Sequence, residues 1–155
     1  MTTPSARGHI VVGLDGSAGS DAALDYALDE GVLRGLTVTA VTAWTPPDLW
    51  ITHEGLVPDA HEMQHAALTA AREQVARVTG VRAERGAPAV EVHVEATSGP
   101  PAAVLERYAH GAEMLVVGHR GRGAAASRLI GSVGLSSVIH APCTVVVVRR
   151  HAESA

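Results

Sequence analysis

Five short apolar runs punctuate this chain, and a segment of helical period separates each from the next. Residues 9–15 (HIVVGLD) and 114–118 (MLVVG) are almost continuously apolar, as strands buried on both faces are. Residues 36–44 (LTVTAVTAW) and 89–95 (AVEVHVE) follow the two-residue period of a strand. Cys143 to Val148 (CTVVVV) is the last run and is rich in β-branched side chains. Between the runs, Leu24, Ala27, Leu28 and Val32 recur at helical spacing within residues 20–33, and Leu68, Ala71, Val75 and Val78 do so within residues 59–85. Residues 101–110 and 132–140 are shorter helical segments. This order predicts an α/β fold, a doubly wound five-stranded parallel sheet of order 3-2-1-4-5, because right-handed crossovers leave few other ways to cover both faces of such strands.

A chain of 155 residues is the size of one domain, expected here over residues 1–155 with flexible polar ends at 1–8 and 149–155. Its apolar runs are too short to cross a bilayer, and the opening MTTPSARGHI lacks the apolar stretch of a signal peptide, so a cytoplasmic location is expected. The net charge of −4 argues against bulk binding of nucleic acid or anionic lipid, so any anion site has to be local. All 12 basic residues are arginines, which removes Schiff-base, kinase-type and Walker A lysine chemistry. Tyr26, Trp44, Trp50 and Tyr108 are too few for the stacking platforms of single-stranded nucleic acid proteins. The lone Cys143 excludes an internal disulfide and a cysteine-rich zinc site.

In a doubly wound sheet, ligands bind at the carboxyl ends of the strands where the winding reverses. For the order 3-2-1-4-5 that place lies between the first and fourth strands, which end in Gly13-Leu14-Asp15-Gly16-Ser17 and Gly118-His119-Arg120-Gly121. Gly118 and Gly121 allow backbone to approach a ligand closely, and Gly131-Ser132 opens the following helix, whose free amides and dipole favour an anion. Arg120, Arg122 and Arg128 fall in a stretch without acidic residues, so phosphate is the guest this pattern suits. Asp15, on the same crevice, is placed to accept hydrogen bonds from ribose hydroxyls.

Plainer roles compete for the same residues. Isolated glycines usually serve turns and helix boundaries, Asp15 could satisfy turn amides alone, and Ser17 and Ser20 read as helix caps with no catalytic part. His61-Glu62-Met63-Gln64-His65 has the H-E-x-x-H spacing of a zinc hydrolase, with Glu84 the one acidic residue at a plausible distance for a third ligand. A metalloprotease is therefore a remote alternative, and no catalytic or metal-binding residue is assigned.

The spacing Gly118-x-x-Gly121, nine residues, then Gly131-Ser132 resembles the ATP-binding signature of the universal stress protein family. Val11–Ser17 (VVGLDGS), Gly99–Gly123 and Gly131–Val148 resemble that family as well, so the likeness spans nearly the whole chain. The resemblance implies a Rossmann-like domain that binds ATP. Asp15 would hold the ribose and the backbone at Ala43 would face adenine, with Trp44 beside it. Gly118, Arg120, Gly121, Gly131, Ser132 and Val133 would surround the phosphates. His119 stands where the family commonly has serine, Ala43 is smaller than the usual branched residue, and Ala124-Ala125-Ala126 replaces a bulkier stretch.

The expected role is a nucleotide-dependent stress-response switch or adaptor. Any ATP hydrolysis would be slow and Mg²⁺-assisted, since only Asp15, Ser17 and Ser132 are available near a metal. A dimeric adaptor that binds no nucleotide is the alternative, and an adenylate-forming enzyme of similar architecture is a third. The last run, Cys143 to Val148, falls at the edge of the expected sheet without proline or charge, so it needs a partner. A homodimer through that strand is expected, as the resemblance also implies.

Overall fold

In the computed structural model, which describes residues 8–46, 59–121 and 130–150, the apolar runs lie side by side. The strands are β1 (His9–Leu14), β2 (Thr37–Trp44), β3 (Val92–Ser98), β4 (Met114–Gly118) and β5 (Thr144–Val148). The helices are α1 (Ala18–Arg34), α2 (Ala60–Glu84), α3 (Pro101–Ala109) and α4 (Ser132–His140). All strand pairings are parallel and the order is β3-β2-β1-β4-β5, as the alternation of elements predicts.

Strand parity sorts the side chains into two layers. Ile10, Val12 and Leu14 of β1, with Met114 and Val116 of β4, face Ala23, Leu24, Ala27 and Leu28 of α1 and Ala71 and Val75 of α2. Val11, Leu115 and Val117 face the other way, against Val104, Leu105 and Ala109 of α3, with Val133 of α4 at the margin. Each fully buried aliphatic side chain contributes about 1.5–3 kcal/mol relative to exposure. α1 and α2 therefore cover one face and α3 and α4 the other, and the winding reverses between β1 and β4.

Local chemistry sets the helix ends. The Ser17 hydroxyl accepts the Ser20 N–H at 3.2 Å and starts α1, so the helix begins before the expected residue 20. Gly35, at φ 67°, closes α1 in the left-handed conformation that a side chain would resist. Asp59 caps α2 through the His61 N–H. Arg82 joins the two helices, with Nη1 2.6 Å from Asp25 Oδ1 and Nη2 2.7 Å from Asp29 Oδ1.

One strand is displaced from its expected position. β3 spans Val92–Ser98 and not residues 89–95. It pairs with β2 as far as Trp44, so the small Ala96 and the polar Thr97 and Ser98 belong to the ladder. Val90 still packs against the core, but from the connection that precedes the strand. The expected connection over residues 45–58 lies outside the described residues from Pro47 onward, as do Arg122, Arg128 and Ala124-Ala125-Ala126.

The start of α1 is seated directly on the end of β4. A Cβ on Gly118 would lie 2.7 Å from the Gly19 carbonyl and 3.1 Å from the Ser20 nitrogen, and one on Gly19 would run into the Arg120 carbonyl oxygen. Neither obstacle is a flexible side chain. Gly118→Ala is expected to lower stability by about 1–3 kcal/mol through overpacking. Gly80→Ala, in α2 where nothing lies within 4 Å of the added carbon, should raise it by roughly 0.5–1 kcal/mol. Urea unfolding of the two variants checks this, and equal shifts of the same sign would contradict the close seating of α1.

Candidate functional site

Where β1 and β4 part, their carboxyl ends open into a cavity of about 330 Å³, within the usual size of a small-molecule site. The loop after β1 contributes Gly13, Leu14 and Asp15 to one rim, and Gly118, Arg120 and Gly121 after β4 form the other. Ala43 of β2 lies deeper, and Gly131, Ser132 and Val133 bring in the start of α4. The eight residues singled out from the sequence, Asp15, Ala43, Gly118, Arg120, Gly121, Gly131, Ser132 and Val133, thus line one cavity. Trp44 is not part of that lining, since strand alternation turns it to the face opposite Ala43.

The two rims touch. Asp15 Oδ1 accepts the Ser17 N–H at 2.9 Å, so one carboxylate oxygen does hold a turn amide. The other, Oδ2, lies so close to Gly121 that a Cβ there would run into it. Glycine at 121 is therefore a condition for the carboxylate and the second loop to share the opening. Ser17 caps α1 as expected, whereas Ser20 lies inside the first turn, where its hydroxyl donates to the Ser17 carbonyl and reaches the cavity wall.

The peptide of His119 ties three elements together. Its N–H donates to the Val148 carbonyl of β5 at 2.8 Å, and its carbonyl accepts the Gly131 N–H at 3.0 Å, which fixes the start of α4 beside the end of β4. No side-chain hydrogen bond caps α4, and the first amides of a helix lack partners within it. Ser132, Val133 and Gly134 bring those amides, and the positive end of the dipole, to the cavity wall. Partial burial, then the charges of Arg149 and Arg120, hold the His119 imidazole below its ordinary pKa. Among the described residues Arg120 is the basic side chain on the rim, where with the α4 amides it offers positive charge to an anion across from the Asp15 carboxylate.

Four apolar wall residues were not legible as such. Pro101 and Leu105 of α3, with Val41 and Val117, make a greasy slot beside the polar rims. α3 carries the chain from β3, at one edge, back to β4 across one face of the sheet, and its start adjoins the carboxyl ends of the strands; that crossover was the available signal. Pro101 occupies the first turn, where its missing N–H costs nothing.

Among the described residues the H-E-x-x-H motif is not joined by a third ligand. His61 and His65 are exposed on the first turns of α2. Glu84 closes the same helix, roughly 30 Å farther along its axis, so it cannot complete a ligand set with them. Among the described residues no three His, Cys, Asp or Glu side chains come together as a metal site, and no helix is long and apolar enough to cross a membrane.

Comparison with known proteins bears on this geometry. The sequence profile of the universal stress protein family matches residues 6–149. Universal stress protein Rv2005c of Mycobacterium tuberculosis is 30% identical over 158 aligned positions, which cover 96% of this chain and 50% of that protein, so the chain spans about half its relative's length. A universal stress protein solved in complex with cAMP is 26% identical, with a TM-score of 0.62 over 93% of this chain and 98% of its own. The universal stress protein from Archaeoglobus fulgidus in complex with dAMP shares the fold at 21% identity, with a TM-score of 0.56 over 92% of this chain and 98% of its own. A profile match over almost the full length, on a sheet of this order, leaves one conclusion: the chain belongs to the universal stress protein family.

Proposed function

We propose that the cavity between β1 and β4 binds an adenine nucleotide, ATP in the first instance, and that the protein works as a nucleotide-dependent stress-response switch or adaptor in the cytoplasm. One observation carries this reading. A carboxylate suited to ribose, an arginine and an uncapped helix start suited to phosphate, and an apolar slot suited to a base all open on the same 330 Å³ space. Similar proteins solved with cAMP and dAMP support the choice of an adenine nucleotide.

In this reading Asp15 takes the ribose hydroxyls. The main chain at Ala43 reads adenine between Val41 and Leu105. Gly118, Gly121 and Gly131 let backbone amides close on the phosphates, with Arg120, Ser132 and Val133 completing the cradle. Mg²⁺ would arrive on the phosphates, because Asp15 with the hydroxyls of Ser17 and Ser132 makes too sparse a set for a dedicated cage. The site is built to bind more than to turn over. Asp15 is the one carboxylate on the described cavity wall, and its bond to the Ser17 amide leaves it poorly placed to activate water.

The proposed adaptor is a homodimer. β5 is an edge strand whose Val145, Val146, Val147 and Val148 are only partly covered. α4 beside it exposes Leu135, Val138 and Ile139, the last at 64%. Pairing of two β5 edges would satisfy the open ladder and cover this apolar margin.

Titration calorimetry should show saturable ATP binding, weakened about 10- to 100-fold in Asp15→Ala by loss of charge-assisted hydrogen bonds and abolished in Gly121→Val. A wild-type protein that binds neither ATP nor AMP would overturn the reading in favour of a nucleotide-free adaptor. His119 is held below its ordinary pKa by partial burial and then by Arg149 and Arg120; a phosphate bound at the neighbouring Arg120 would offset part of that charge, so ATP should raise the pKa and binding should couple to proton uptake. Affinity is then expected to rise as pH falls through the His119 titration; NMR of the imidazole checks the sign, and a pKa that ATP leaves unchanged or lowers would contradict it. For the dimer, light scattering should report two copies for the wild type and one for Leu135→Glu/Ile139→Glu. A monomeric wild type would count against the interface.

A further inference from the structure

We infer that Gln74, in the middle of α2, is the positioning residue that sets the Asp15 turn for the ribose, acting without touching the ligand. Gln74 is 4% exposed, which is unusual for a glutamine far from any helix end. Both ends of its amide are engaged. Oε1 accepts the Gly16 N–H at 3.1 Å, and Nε2 donates to Ser20 Oγ at 2.7 Å and to Asp21 Oδ1 at 2.7 Å. The orientation of the amide is fixed by its partners, since an N–H requires the oxygen and a carboxylate requires the nitrogen.

The Ser20 hydroxyl extends this grip to the site. It donates to the Ser17 carbonyl at 2.9 Å and accepts from Gln74 and, at 3.4 Å, from the main-chain N–H of Asp15. One donor and two acceptor positions are thereby used, the full capacity of a hydroxyl. The residues flanking Asp15 on the chain are held from α2, more than fifty residues away, through Gly16 directly and through Ser20. Asparagine is one methylene too short for this span. Glutamate would set a second carboxylate against Asp21. The chemistry of the position is therefore that of glutamine, and its effect falls on the turn whose carboxylate faces the cavity.

The inference rests on the adenine-nucleotide reading, and its test separates the two. Gln74→Met keeps length and volume but removes the three hydrogen bonds. It should weaken ATP about tenfold by calorimetry. For 2′,3′-dideoxy-ATP, which lacks the hydroxyls Asp15 would hold, affinity should change by less than about twofold. Ser20→Ala, which breaks the relay at its α1 end and leaves the Gln74 bond to Gly16 in place, should give a loss of the same selectivity. Equal losses for both nucleotides, or none for either, would overturn the inference and mark Gln74 as packing between α1 and α2. Amide hydrogen exchange supplies a reading that needs no nucleotide. Gly16 should exchange faster in Gln74→Met while Val11 and Val12 keep wild-type protection, and an unchanged Gly16 would overturn the inference by itself. If wild type binds neither nucleotide, the adenine reading falls, and the exchange result still decides whether Gln74 sets the turn.

Discussion

Backbone packed on backbone, where Gly19 at the start of α1 meets Gly118 and Arg120 at the end of β4, is the constraint on which the rest of the structure depends. A doubly wound sheet always leaves a crevice at the point of reversal, but its width is set by how closely the two strand ends and their loops approach. Here the approach is close enough that side chains are excluded on both sides of the contact. Asp15 and Gly121 are brought together as a result, and a carboxylate shares an opening with the start of α4.

The electrostatics of the site follow from that closeness. The chain carries a net charge of −4 and no lysine, yet the cavity gathers Arg120 and the uncapped amides of α4, next to His119, whose imidazole is held below its ordinary pKa by partial burial and then by Arg149 and Arg120. Local dipoles and one guanidinium do what a basic surface cannot do in an acidic protein. In the proposed nucleotide reading, anion selectivity would come from geometry, and Asp15 would mark the place of the uncharged sugar.

Much of this was legible in the sequence because backbone constraints leave a residue-type signature. β1 and β4 announce themselves as continuous apolar runs, and Gly118, Gly121 and Gly131 mark places where a Cβ has no room or a helix begins. The end of β3 was hidden because the small Ala96 and the polar Thr97 and Ser98 look like a turn, although the ladder to β2 orders them. Pro101 and Leu105 were hidden for the opposite reason: apolar residues on a short helix signal a core and give no hint that part of that core is a ligand wall. Gln74 was the least legible of all. A polar residue between Glu73 and Val75 reads as one more solvated helix position, and only its burial reveals that it braces a turn on a distant part of the chain. Conversely, the H-E-x-x-H string carries a clear textual signal but gains no third ligand among the described residues, because Glu84 sits at the far end of the same helix.

This chain spans about half of Rv2005c, and the open apolar edge at β5 is the surface that the proposed homodimer would cover. The central claim remains the occupant of the crevice. A crystal structure grown with ATP tests it most directly. The nucleotide is expected between β1 and β4, with its sugar at Asp15 and its phosphates at the start of α4. A nucleotide bound elsewhere, or a crevice closed by the protein's own side chains in the presence of saturating ATP, would contradict it.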